Sequence, residues 1–305
     1  MHISVSFRVL GILLMLFSSA ALAPLLLAVM EDDQSARAFA YGIVITFCSG
    51  LFMWFPVRNA RYELRIRDGF LITSLFWTVL GLFGSLPFLF SEDLQMTPTE
   101  AIFESISGLT TTGATVIVGL DELPHSILIY RQMLQWLGGI GIIVVAVAVL
   151  PMLGIGGMQL YKAETPGPSK DTKLTPRITQ TAKALFTVYL SLTVACAIAY
   201  YAAGMSGFDA VAHAFSTVAI GGFSTHDASM GYFDNDAILL ICSLFMTVSA
   251  INFGLHFIAW RRRTGAVYTR DSETRFFLAV LSVCIVITCG YLVVSQTLDP
   301  RDSLV

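Results

Sequence analysis

Threonine and glycine carry most of the chemistry that this chain offers. Residues 110–115 read TTTGAT and residues 219–224 read AIGGFS, and each stretch follows a short apolar segment. An apolar helix of about ten residues is too short to cross a hydrocarbon core and suggests a re-entrant segment. Where such a helix stops, its last carbonyl groups have no intrahelical donor, and they carry the negative pole of the helix dipole. Glycine permits the backbone angles that aim successive carbonyls the same way. Several such ends around one axis would replace the water shell of a cation with neutral, hard oxygens. That environment suits an alkali cation better than a transition metal. The chain has no HExxH, P-loop or GxSxG motif, and no acidic pair placed mid-span, so nothing in it points to an enzyme.

The two stretches sit in equivalent frames. TPTEAIFESISGLTTTGATV (97–116) and SGFDAVAHAFSTVAIGGFST (206–225) align without a gap. Thr97 pairs with Ser206 as a helix N-cap, Glu100 with Asp209 three residues on, and Gly113 with Gly222. Thr97, Pro98 and Glu100 predict a capping box with proline at the first helical position. The chain therefore holds a span–loop–span unit twice in the same direction, as parallel repeats.

Composition supplies the elements that must hold these loops. Of 305 residues, 55% are hydrophobic and only 13% are charged, about half the charged fraction of a soluble domain. Apolar runs near 7–29, 37–57, 70–90, 128–152, 184–204, 237–260 and 276–296 are each long enough to span. The expected fold is an all-α integral membrane protein with seven spans and two re-entrant loops. Its expected units are two N-terminal helices (1–66), a first span–loop–span unit (67–160) and a linker (161–182). A second unit (183–264) and the opening span of a third (265–305) follow. Basic residues fall in alternate loops: Arg8; Arg58, Arg61, Arg65 and Arg67; Lys162, Lys170, Lys173, Arg177 and Lys183; Arg261, Arg262, Arg263, Arg270 and Arg275. The intervening loops are acidic, which places the N-terminus inside. The cysteines lie inside predicted spans without ligand spacing and read as small core hydrophobes.

On the stretches ESISGLTTTGATV, QWLGGIGIIVVAVAVLPMLG, AETPGPSKDTKLTPRITQTAK, AFSTVAIGGFST and INFGLHFIAWRR, the chain resembles the Trk/Ktr/HKT superfamily of cation transporters, and within it the bacterial Trk type. The resemblance implies four span–pore helix–span units arranged like a tetrameric potassium channel, with two extra N-terminal helices. It implies potassium uptake across the bacterial inner membrane, with K+ as the transported ion and no organic cofactor. It also implies a homodimer gated by a cytosolic nucleotide-binding subunit of RCK type, with no nucleic acid as partner. Thr110, Thr111, Thr112 and Gly113 match the first filter strand, and Ala219, Ile220, Gly221 and Gly222 the second. Potassium is then expected at Thr111, Thr112, Ile220 and Gly221. Glycine at both visible first-glycine positions favours potassium over sodium. The family pattern has four units, whereas two and the opening of a third are visible here. A truncated, non-conducting half that serves as a scaffold or needs the missing units is the alternative.

Other residues carry two readings. Gly138, Gly139 and Gly141 read as small-residue helix packing, with a hinge as the alternative. Asn252 and His256, four apart on one expected helix, would share a face that lines the pore or bonds to another helix. His213 reads as a packing or hydrogen-bonding residue. Glu104 either adds negative potential near the filter or bonds to a neighbouring helix. Asp121, Glu122, Asp227, Asp234 and Asp236 either concentrate cations at the mouth or form a solvated face. The basic loops 161–177 and 261–273 are the expected docking surface for a cytosolic partner.

Overall fold

The computed structural model describes residues 3–59, 66–153 and 178–295, and every regular element among them is helical. The first expected span is α1 (Ile3–Ser18) continued by α2 (Leu22–Met30) through a single 3-10 turn, so that Ser4–Met30 runs as one span. Helix α3 (Ala36–Trp54) returns beside α1, and the two backbones touch at Gly11 and Gly50. A Cβ added at Gly11 would lie 2.6 Å from the Gly50 carbonyl oxygen. Small residues that let backbones approach drive helix pairing where lipid offers no hydrophobic gain.

Next come α4 (Ile66–Gly84), the short α5 (Leu86–Phe90) and α6 (Pro98–Leu109). The long α7 (His125–Leu153) and then α8 (Ile178–Ala202) and α9 (Gly207–Val218) follow. Both α6 and α9 have twelve residues. At 1.5 Å per residue each is about 18 Å long, against a core of about 30 Å. The capping box at Thr97 is formed: Glu100 N–H donates to Thr97 Oγ1 (3.4 Å) and Thr97 N–H donates to Glu100 Oε2 (2.8 Å). At α9 only half of it forms. Asp209 N–H donates to Ser206 Oγ, while the Asp209 carboxylate takes the Ser206 hydroxyl instead of its amide.

One expectation fails. The run 237–260 is expected as one span whose helix carries Asn252 and His256 on a shared face. Instead α10 (Asp236–Ala250) ends, and α11 (Phe253–Arg262) leaves at 91°. Asn252 is the N-cap of α11, its side chain accepting from Gly254 N–H, so it belongs to the break and not to a common helix face. His256 folds back over that break, with Nε2 2.9 Å from the Val248 carbonyl and Nδ1 2.9 Å from the Tyr268 hydroxyl. Tyr268 lies in the short α12 (Ala266–Arg270), which leads to α13 (Ser272–Val294). Loop 161–177 lies outside the described residues.

Four apolar clusters lie among the described residues. One packs α7, α8 and α9 around Tyr189, Cys196 and Tyr200; a second joins α1 to α4; a third joins α2, α3, α5, α6 and α7 around Phe39, Phe88 and Tyr130; a small fourth holds Ile117, Leu120 and Leu128. Helix α7 contributes to three of them. Its N-terminal end is also tied to the α2–α3 turn, where His125 Nδ1 lies 3.0 Å from Glu31 and the Ser126 hydroxyl donates to Asp33.

Candidate ion-coordinating site

The short helices α6 and α9 end in the same way, bond for bond. Thr112 N–H donates to the Ser107 carbonyl (2.9 Å) and Thr111 N–H to that of Gly108 (3.0 Å). In the other repeat, Gly221 N–H donates to Ser216 (2.8 Å) and Ile220 N–H to Thr217 (3.1 Å). This is the Schellman pattern, whose C′ position normally holds glycine because the backbone there is left-handed. Here C′ is Thr111 (φ 54°) and Ile220 (φ 54°). A β-branched residue at positive φ is a genuine outlier that costs about 1–3 kcal/mol and clusters at functional sites. Two residues on, Gly113 (φ 77°) and Gly222 (φ 88°) return to that region.

The two strands lie against each other. A Cβ placed on Gly113 would sit 2.2 Å from the Gly221 carbonyl oxygen, so only glycine fits there. The hydroxyls of Thr110 and Thr112 are 2.8 Å apart, and Thr110 also donates to Ile106. All eight residues expected in the filter strands thus fall on these two turns. Thr110, Thr112, Ile220 and Gly222 are exposed, whereas Ala219 and Gly221 are buried.

Helix α7 backs both strands. A Cβ on Gly138 would lie 1.9 Å from the Leu109 carbonyl at the end of α6. One on Gly139 would lie 2.5 Å from Tyr189 Oη and 3.2 Å from Ala219 at the end of α9. Gly138 and Gly139 are therefore close-approach positions at the ends of the two short helices, and Gly141 is one against Trp77 of α4, as the packing reading expects. Four residues before Gly139, Gln135 Oε1 accepts from Phe223 N–H at 3.1 Å. One turn earlier, Arg131 is fully buried and bonds to Glu104 Oε1 (2.9 Å), Thr115 Oγ1 (3.0 Å) and the Ser224 carbonyl (3.0 Å). Its guanidinium carbon lies 4.4 Å from the centre of the Phe223 ring.

Glu104 is likewise fully buried, and besides Arg131 it accepts from Thr115 Oγ1 and Val116 N–H. Its charge is compensated on the spot, so it bonds to a neighbouring helix, the second of its two readings. His213 lies at the equivalent place on α9, with Nε2 3.0 Å from Ser224 Oγ and Nδ1 3.0 Å from the Asp209 carbonyl.

Beyond the strands the loops that follow α6 and α9 lock reciprocally. Asp227 accepts from the Gly119 and Leu120 amides, both at 3.1 Å. Asp121 accepts from the Asp227 amide (3.2 Å) and from His226 Nδ1, and His226 stacks on Tyr232. Hydrogen bonding to His226, then to the Asp227 amide, holds the Asp121 carboxyl below its ordinary range. Asp121 and Asp227 are therefore engaged in joining the loops, while Glu122, Asp234 and Asp236 are exposed. Among the described residues no group of His, Cys, Asp or Glu could hold a metal ion.

Arg131, Gln135 and His226 escape a reading of motifs. The signal for Arg131 was present: an arginine near two glutamines at the head of an apolar helix asks for a buried partner.

Helices this apolar, with two matched turns among them, define a multi-pass membrane protein. Four described helices are long and apolar enough to cross a bilayer, and the bent α10–α11 pair would be a fifth. The model of the TrkH family (cation transport protein) matches residues 35–299. The chain is 59% identical over 288 residues to the Trk system potassium uptake protein TrkH of Halomonas elongata, covering 94% of this chain and 60% of that protein. It is 55% identical over 287 residues to TrkH of Escherichia coli K12, covering 94% and 59%. The solved potassium transporter TrkH from Vibrio parahaemolyticus superposes with a TM-score of 0.86 at 50% identity, covering all of this chain and 62% of that one. The chain belongs to the TrkH family and is a multi-pass protein of the bacterial inner membrane. It spans about 60% of the length of the curated relatives it matches.

Proposed function

We propose that this chain supplies two strands of a carbonyl-lined selectivity filter for potassium uptake, as part of the membrane subunit of a Trk-type system. One observation carries the reading. Two helices too short to span end in identical Schellman turns, each with a β-branched residue at positive φ and a second positive φ two residues later. An extended strand alternates its carbonyls; left-handed residues at every second position turn them toward one side. Thr111, Thr112, Ile220 and Gly221 are the residues proposed to offer oxygens to K+, with Thr110, Gly113, Ala219 and Gly222 completing the strands.

In this reading α6 and α9 are pore helices inside two parallel span–pore helix–span units, preceded by α1–α3, and α13 opens a third. The seven-span topology comes from the apolar runs and the charge of the loops between them, and the homodimer and cytosolic RCK-type gating subunit come from the resemblance. A non-conducting half is the alternative reading.

The test joins this chain to the C-terminal part of the Vibrio parahaemolyticus relative that lies beyond the match. Uptake of potassium and sodium is then measured in cells without other potassium uptake. Potassium-selective uptake is expected, abolished by Gly113→Val. A chimera that reaches the membrane and accumulates no potassium would sink the reading. The same flux measured in liposomes holding this chain alone decides between the conducting and non-conducting half.

A further inference from the structure

We propose that Arg131 is the positioning residue that fixes the spacing of the two strands and thereby sets ion selectivity; this rests on the filter reading above. Thr115 and Ser224 occupy equivalent places, each two residues beyond the glycine at positive φ. One buried guanidinium bonds to both, donating through Nη2 to the Thr115 hydroxyl and through Nη1 to the Ser224 carbonyl. Its Nε is held by Glu104, and its face lies over Phe223, the residue between Gly222 and Ser224. A planar fork fixes the separation of the groups it holds, which a flexible ammonium cannot do.

The strands are thus set at both ends: on the helix side by the close approach of Gly138 and Gly139, and on the outer side by Arg131. Second-layer groups of this kind orient the atoms that touch an ion. Selectivity among alkali cations depends on cage size and on the number and field of the carbonyls, and strand spacing sets the geometry of both. The corresponding stretch of α10, residues 240–242, reads LIC and carries no donor fork.

The test uses the same chimera with Arg131→Lys, which keeps the charge but cannot span both partners, and Thr115→Val, which removes one arm and leaves the ion pair. Membrane content and the potassium-to-sodium uptake ratio are measured together. The ratio is expected to fall about tenfold in Arg131→Lys, the scale of one charged hydrogen bond, and by about two- to fivefold in Thr115→Val. A ratio that stays at the parent value while uptake or membrane content falls would show a merely structural residue and overturn the proposal. If Arg131→Lys is not inserted, Thr115→Val decides by the same criterion. A parent chimera with no potassium uptake would instead overturn the filter reading on which this one rests.

Discussion

The hairpins around residues 97–124 and 206–235 share a backbone and differ in how they hold it. In both, a side chain from the middle of the short helix reaches the hydroxyl that follows the strand. In the first, the Glu104 carboxylate accepts from Thr115; in the second, the His213 imidazole faces Ser224. The carboxylate brings a buried charge, and Arg131 compensates it. The imidazole needs no counter-ion. Its Nδ1 must donate to the Asp209 carbonyl, which leaves Nε2 to accept the Ser224 hydroxyl proton. Repeated backbone geometry therefore tolerates different chemistry behind it, provided that each buried polar group finds its partner.

The sharpest test of that comparison is at the glycines. Gly113 is constrained twice, by φ and by the Gly221 carbonyl, whereas Gly222 has only its φ, since a Cβ there meets nothing nearer than 4.0 Å. Gly113→Ala is expected to reduce potassium uptake by the chimera to background. Gly222→Ala carries only the left-handed penalty of about 1–2 kcal/mol and is expected to lose about tenfold. Equal losses would show that the strands are not packed as described.

Next in size is the difference in charge. Glu104→Gln strands the buried guanidinium and is expected to cost about 3–5 kcal/mol. His213→Gln removes neutral bonds and is expected to cost about 1–3 kcal/mol. Thermal unfolding of the purified chain in detergent measures both, and a reversed order would break the contrast. A smaller effect of the opposite sign is expected at the C′ position. Ile220→Gly relieves a left-handed β-branched residue and should stabilise the turn by about 1 kcal/mol, read in the same assay. Destabilisation would mean that the Ile220 side chain contributes more than its backbone costs.

The smallest effect concerns the lock between the two loops. The Asp121 carboxyl is held below its ordinary range, so its contribution is present above that range and lost as pH falls through the folded value. Lowering the pH from about 6 to about 3 should therefore reduce the unfolding midpoint more in the parent chain than in Asp121→Asn. Equal reductions would remove Asp121 from the lock.

Much of this was legible in advance, for local reasons. The capping box at Thr97, the matched cap at Ser206 and the helix ends at TTTG and AIGG follow from side chains that bond within three residues. The gapless alignment located both strands before any coordinates. Arg131 was not legible as a clamp, because its partners lie 27 and 93 residues away. The break at Asn252 was also missed. Asparagine before Phe-Gly is an ordinary N-cap signal, but it sat inside a run apolar enough to pass for one span.

By itself the sequence determined an all-helical membrane chain with two equivalent turns after short capped helices, because helix periodicity, capping and glycine act over a few residues. Only the tertiary structure decided the backbone at Thr111 and Ile220. Local sterics send a β-branched residue to extended angles. It stays left-handed here because the helix-end hydrogen bonds, the glycine contact between strands and the support of α7 fix its neighbours on both sides.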